Sequence, residues 1–210
     1  MQPLANSLLL FDQEKSGGSS LLLAGVDEAG RGCWAGPVVA AAVILPPDWC
    51  PEGLNDSKKL TARRREVLCG KIMASALSWG ACAVSAGRID EINILRASLE
   101  AMSRSLTKLD PGPELVLVDG LQVPDFPAPS EAVVKGDATS ASIAAASILA
   151  KVLRDRVMTV CERHFPGYGF AGHKGYGAQE HREALARLGP CPLHRFSYRP
   201  VAELDQGRLF

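Results

Sequence analysis

The chain has 210 residues, 47% hydrophobic and 22% charged. That suits a globular protein with one sizeable core and excludes a disordered chain. The formal net charge is zero, but residues 1–150 hold 13 Lys and Arg against 17 Asp and Glu, while residues 151–199 hold nine against four. An acidic body joined to a basic C-terminal part is compatible with a metal centre beside a phosphate-binding surface. The apolar stretches are too short or too interrupted by Gly and Pro to span a bilayer, and "MQPLANSLLLFDQEK" has no basic leader. Six cysteines form no CxxC pair, so reduced thiols in a cytoplasmic protein are expected.

Residues 1–19 read as a flexible lead-in with "SGGSS" as spacer. "LLLAGVDEAG" and "WAGPVVAAAVIL" read as two antiparallel strands separated by glycines. After a turn-rich loop, "DSKKLTARRREVLCGKIMASAL" predicts a helix capped by Asp56 or Ser57, with Leu60, Val67, Leu68 and Ile72 at helical spacing. "SWGACAVSAG" is a third strand. "RIDEINILRASLEAMSRSLTKL" predicts one amphipathic helix with Ile92, Leu95, Leu99, Met102 and Leu106 on its apolar stripe. "ELVLVDG" and "EAVVKGD" read as short strands ending in acids, as buried parallel strands do. An Ala-rich helix, "ATSASIAAASILAKVLRDRVMTVCERHF", follows, and after Phe165 the chain is rich in Gly, His and Arg, with a short helix near 178–188. This order predicts an α/β fold, a mixed sheet covered by helices.

Three predicted strands end in acids: Asp27 and Glu28 after the first, Asp119 after "LVLV" and Asp137 after "AVVKG". Strand ends in α/β sheets are where functional side chains collect. Carboxylates converging there repel one another and suffer desolvation, and a divalent cation relieves both. With no Cys/His pattern for zinc, a hard, oxygen-liganded metal such as Mg²⁺ fits, and a pair of such ions suits phosphodiester hydrolysis. Each Asp-Gly alone also reads as a turn, and Asp-Glu as a solvated surface pair. Successive strand residues face opposite ways, so Asp27 and Glu28 share a centre only where the strand bends or has ended.

The blocks "GVDEAGRGCWAGPVVAAAVIL", "LNDSKKL", "LVLVDG", "KGDATSASIAAASILAKVLRD", "FPGYGFAGHKGYG" and "GPCPLHRFSYRPV" resemble, in this order, those of type 2 ribonuclease H over residues 20–201. The resemblance implies a ribonuclease H-like mixed five-stranded sheet flanked by helices, with a C-terminal helical extension. It divides the chain into a catalytic domain over 20–165, a substrate-contacting part over 166–201 and a tail over 202–210. It implies a two-metal endonuclease, using Mg²⁺ or Mn²⁺, that cuts the ribonucleotide-containing strand of RNA/DNA hybrids and of duplex DNA with single embedded ribonucleotides. The cut falls 5′ of the ribonucleotide and leaves a 3′-hydroxyl and a 5′-phosphate.

By that resemblance Asp27, Glu28, Asp119 and Asp137 are the catalytic, metal-binding acids. Gly30, Arg31 and Gly32 are the segment whose backbone tests for a 2′-hydroxyl, Tyr176 packs on the sugar, and Lys58 lies near the phosphates. Tyr168 reads as an anchor, Lys59 and Arg63–Arg65 as a solvated helix face, and His173, His181 and His194 as packing or phosphate-contacting residues. The chain departs from the pattern at "DGLQVP", where a polar residue commonly follows Asp-Gly, and at Ala178, where Thr is common. A monomer without membrane contact is expected. The end, Gln206 with Leu209 and Phe210, resembles peptides that dock on a sliding clamp. A type 3 ribonuclease H acting mainly on hybrids, or a non-catalytic nucleic-acid-binding module, remain as alternatives.

Overall fold

In the computed structural model, which describes residues 3–18, 21–55 and 57–206, the apolar runs form one five-stranded sheet. The strands are β1 (Leu23–Ala29), β2 (Val38–Ile44), β3 (Ser78–Val84), β4 (Leu115–Asp119) and β5 (Ser130–Val133), in the order β3-β2-β1-β4-β5. β1, β2 and β3 pair antiparallel, whereas β4 runs parallel to β1 and β5 parallel to β4. Every residue of β2 is buried, as expected of a Val/Ala run covered on both faces.

Strand parity divides the core. Ala24, Val26, Val116 and Val118 turn to one face with α3 (Ala86–Ile92) and α4 (Ile94–Leu106). Leu23 and Leu117 turn to the other, where they meet Ile143 near the start of the long helix α5 (Ala141–His164). Gly25 has that second parity, and a methyl group on it would lie 2.1 Å from the carbonyl carbon of Ser142. Glycine here lets the first turn of α5 rest directly on the central strand. The small Ala144, Ala145, Ala146 and Ala150 continue the close packing.

Several local expectations change. Within the expected lead-in, Pro3–Lys15 forms a helix, α1, whose Leu8 is buried. Its Asp12 accepts hydrogen bonds from Ser140 Oγ at 2.5 Å and Ser142 N at 2.8 Å. Asp12 thereby caps α5 from a distant part of the chain, which no local pattern reveals. Asp56, one expected cap, lies outside the described residues. Ser57 opens a 3₁₀ turn, and α2 (Ala62–Ser75) is capped by Thr61, which accepts from Arg64 N at 3.2 Å. The predicted helix over 88–109 is two helices broken at Asn93, whose φ is +67° and whose side chain caps α4 by accepting from Arg96 N. The buried face of α4 holds Ala97, Ser98, Ala101 and Ser105 beside Met102 and Leu106. Its larger Leu95 is left at the surface.

Beyond α5, the short helix α6 (Phe170–His173) and α7 (Gln179–Leu188) pack around Met158, Tyr168, Phe170 and Ala184, and α8 (Arg199–Gln206) rests against α7. Helix α8 crosses the expected boundary at 201/202, so the tail begins as helix; residues 207–210, with Leu209 and Phe210, lie outside the described residues. Among the described residues no helix is long and apolar enough to cross a membrane.

Candidate active site

The parallel pairing of β1 with β4 ends at Val26 and Val118, while the antiparallel pairing of β1 with β2 continues to Ala29. One more step of the parallel register sets Asp27 beside Asp119, both with the parity of the α5 face. Asp27 is 5% exposed, its carboxylate accepts from Glu28 N at 2.6 Å, and Ser147 of α5 stands close enough to ease its charge. Glu28 has the opposite parity and borders a hollow of the α4 face with Leu95, Leu99 and Met102. The strand neither bends away nor ends at this pair, as the parity argument required. Instead the neighbouring strand β4 ends, and Glu28 and Asp119 border the hollows on both faces. Carboxylates from opposite faces therefore meet around the end of β4.

Asp137 arrives by a turn rather than at a strand end. β5 stops at Val133, Lys135 takes a left-handed φ of +57°, and Gly136–Ala138 forms a 3₁₀ turn carrying Asp137, which is buried. Gly136 N donates to Asp119 Oδ1 at 2.7 Å, tying that turn to the acid of β4. Lys58 Nζ stands 3.4 Å from Asp137 Oδ2, and Arg31 Nη1 stands 3.3 Å from Glu28 Oε1.

Burial, and then the charges of Glu28 and Asp119, push the Asp27 carboxyl well above the usual carboxylate range. Burial raises Glu28 too, against the pull of Arg31. Asp119 is raised by burial and by the charge of Asp137, and lowered in part by the N–H of Gly136. The donors are all carboxylate oxygens, and burial holds those of Asp27, Glu28 and Asp119 against ionisation, which fits a hard divalent cation. Among the described residues no three His, Cys, Asp or Glu side chains form a ready-made cage.

Asp27, Glu28 and Asp119 line a cleft of about 270 Å³ together with Gly30, Arg31, Gly32, Lys58 and Tyr176. The sequence-predicted residues thus come to one place, with Asp137 joined through Lys58 and through the Gly136 bond to Asp119. The two glycines differ. Gly30 has φ +99°, and a methyl group on it would lie 1.9 Å from Arg154 Nε, so the fold itself demands glycine. At Gly32 a methyl group would meet nothing within 4 Å. Tyr168 is buried and donates to Gly189 O at 2.7 Å, an anchor as expected.

His181 and His194 are buried, their Nε2 atoms 3.1 Å apart, and burial pushes both down to about 4. They pack with Phe170 and Tyr168 rather than face the cleft. Ala178 begins α7 without a side-chain cap bond, the local consequence of the missing hydroxyl.

Sequence reasoning missed several supports of the site. Arg65 was read as solvated helix face, but its Nη1 donates to Ser57 O at 2.8 Å and Leu60 O at 2.5 Å, holding the turn that carries Lys58. Arg154 is fully buried and donates to the carbonyls of Pro37, Lys174 and Ala35. Its signal was an arginine on the apolar side of the Ala-rich helix. Lys151 and Ser147 also line the cleft.

A mixed five-stranded sheet with helices on both faces and acids gathered around the end of a central strand is the ribonuclease H-like architecture. The model of the family described as Ribonuclease HII matches residues 24–201. "Ribonuclease HII" of Syntrophotalea carbinolica is 53% identical over 197 residues, covering 94% of each chain. The ribonuclease H2 structure from Pyrococcus horikoshii aligns with a TM-score of 0.73 and 27% identity, over 88% of this chain and 97% of that one. Ribonuclease HII of Archaeoglobus fulgidus, solved in a complex with PCNA, aligns at 0.70 with 29% identity, over 85% and 96%. Bst-RNase HIII, solved with Mn²⁺, shares the fold at 0.75 and 20% identity, over 99% and 75%. The chain belongs to the ribonuclease HII family. It is an endoribonuclease, a hydrolase of phosphodiester bonds.

Proposed function

We propose that this enzyme uses divalent metal to hydrolyse the ribonucleotide-containing strand of RNA/DNA hybrids and of duplex DNA with single embedded ribonucleotides. The cut falls 5′ of the ribonucleotide and leaves a 3′-hydroxyl and a 5′-phosphate. The observation that carries this reading is the meeting of acids from three chain segments beside a loop whose peptide groups line the same cleft. Asp27, Glu28, Asp119 and Asp137 would hold two ions. When bound, Mg²⁺ or Mn²⁺ supplies charge neutralisation at the phosphate and activates water; the fold relative solved with Mn²⁺ supports this metal class.

The protein's own groups do the rest. Arg31 and Lys58 place positive charge on the rim to orient the phosphates. The backbone of Gly30–Gly32 approaches the sugar closely enough to hydrogen-bond a 2′-hydroxyl, the one group separating a ribonucleotide from its deoxy neighbours. Tyr176, 42% exposed at the cleft, offers a flat face to the adjacent sugar. A cytoplasmic location and a monomeric enzyme accord with this role. The test is Asp137→Asn in Mg²⁺ with a duplex carrying one ribonucleotide. The variant should lose at least 10²-fold in kcat, and retained activity would overturn the metal assignment.

A second reading concerns the tail. The relative solved with PCNA supports docking of Gln206, Leu209 and Phe210 on a sliding clamp. A chain ending at Arg208 should lose clamp binding while keeping hydrolysis; unchanged binding would end this reading.

A further inference from the structure

We propose that Arg195 and Tyr198 are positioning residues that aim the N–H groups of Arg31 and Gly32 into the cleft, and so set the preference for ribose over deoxyribose. The inference rests on the function proposed above and deepens it. Arg195 is fully buried, yet among the described residues no carboxylate pairs with it. Its guanidinium is spent on backbone carbonyls. Nη2 donates to Gly30 O at 2.7 Å and Gly36 O at 3.0 Å, Nη1 to Arg31 O at 2.7 Å, and Nε to Gly36 O at 3.1 Å. Tyr198 Oη adds a second donor to Arg31 O at 2.6 Å and itself accepts from Arg195 Nη1 at 3.0 Å.

A trans peptide is planar, and its C=O and N–H point in opposite directions. The carbonyl of Gly30 shares its plane with the N–H of Arg31, and the carbonyl of Arg31 shares its plane with the N–H of Gly32. Fixing both carbonyls from behind therefore fixes the direction of both N–H groups, away from Arg195. Among the described residues neither N–H has an acceptor within the chain, and both residues are exposed and line the cleft. The loop is thus held as a pair of aimed donors.

The brace is itself anchored. Arg195 N donates to Trp34 O at 2.8 Å, and Asp90 on α3 accepts from Phe196 N, Ser197 N and Ser197 Oγ. Only the planar fork of arginine, with five donors, serves three carbonyls at once; lysine would serve fewer and without fixed direction.

The test compares the full chain with Tyr198→Phe and Arg195→Lys in Mg²⁺. It reads KM for a duplex with one ribonucleotide and the inhibition constant of the same duplex in all-DNA form as competitor. In Tyr198→Phe the ratio of inhibition constant to KM should fall about three- to tenfold, because KM rises while DNA affinity stays. Arg195→Lys should lower the ratio further. A ratio unchanged in Tyr198→Phe, or both constants rising together as general damage would make them, overturns the assignment whatever Arg195→Lys does. A wild-type chain that fails to distinguish the two duplexes would instead fail the proposed function, and this proposal with it.

Discussion

Asp27 concentrates the tension of the site in one side chain. It is buried, the residue one step past the last β1–β4 pair is the acid Asp119, and its chain neighbour is another acid. Its pKa in the fold lies well above the 3.8 of an ordinary aspartate. Between those two values the folded chain holds a proton that the unfolded chain has lost, so stability falls as pH rises through the window. Above 3.8, in the absence of cations, the cost of placing a charge on this buried carboxyl destabilises the fold. Asp27→Asn keeps an acceptor for Ser147 and removes that charge, so in chelator at pH 7 it should raise Tm by about 2–4 °C for each kcal/mol relieved. The gain should shrink as pH falls through the window and vanish below 3.8, where the carboxyl becomes protonated in both states. The same variant should be inactive. A Tm unchanged or lowered at pH 7 in a folded Asp27→Asn would show that repulsion is not what strains the site.

At the scale of elements, the acids are placed by contacts between segments far apart in sequence. Helix α5 sits on β1 because Gly25 leaves room for it, and its start is tied to α1 through Asp12, Ser140 and Ser142. Ser140 N in turn donates to Gly136 O, and Gly136 N to Asp119, so α1 is linked to the turn of Asp137 by consecutive hydrogen bonds. Asp12→Ala removes two bonds at a buried helix start and should cost about 1–3 kcal/mol, with Asp12→Asn milder. Thermal denaturation measures this; an unchanged Tm would mean that α1 does not support the core. The strands and the long helix were legible in the sequence because their cues are local: apolar runs, acids at run ends, an Ala-rich stretch. Asp12 as a cap was not, since its partners lie about 130 residues away in an unrelated motif.

For the molecule as a whole, the motifs named the residues of the cleft but not how neighbours of opposite parity share it. That depends on where β4 stops relative to β1, a property of the sheet rather than of either strand. The supports stayed hidden for a similar reason. Arg195 reaches Gly30 and Arg31 across most of the chain, and an isolated arginine in "LHRFSYRP" shows nothing of the carbonyls it will meet. In the function proposed above, the sheet, the acids and the braced loop together form a cleft that would join hydrolysis to recognition of one sugar hydroxyl.

The most direct measurement incubates the full chain and Mg²⁺ or Mn²⁺ with three end-labelled duplexes, one all-DNA, one with a single ribonucleotide and one an RNA/DNA hybrid, and maps the product ends. The account predicts a single cut 5′ of the embedded ribonucleotide, a 3′-hydroxyl and a 5′-phosphate, cleavage of the hybrid, an intact all-DNA duplex and no cut in chelator. An uncut single-ribonucleotide duplex, or cleavage of all-DNA at a similar rate, would contradict it.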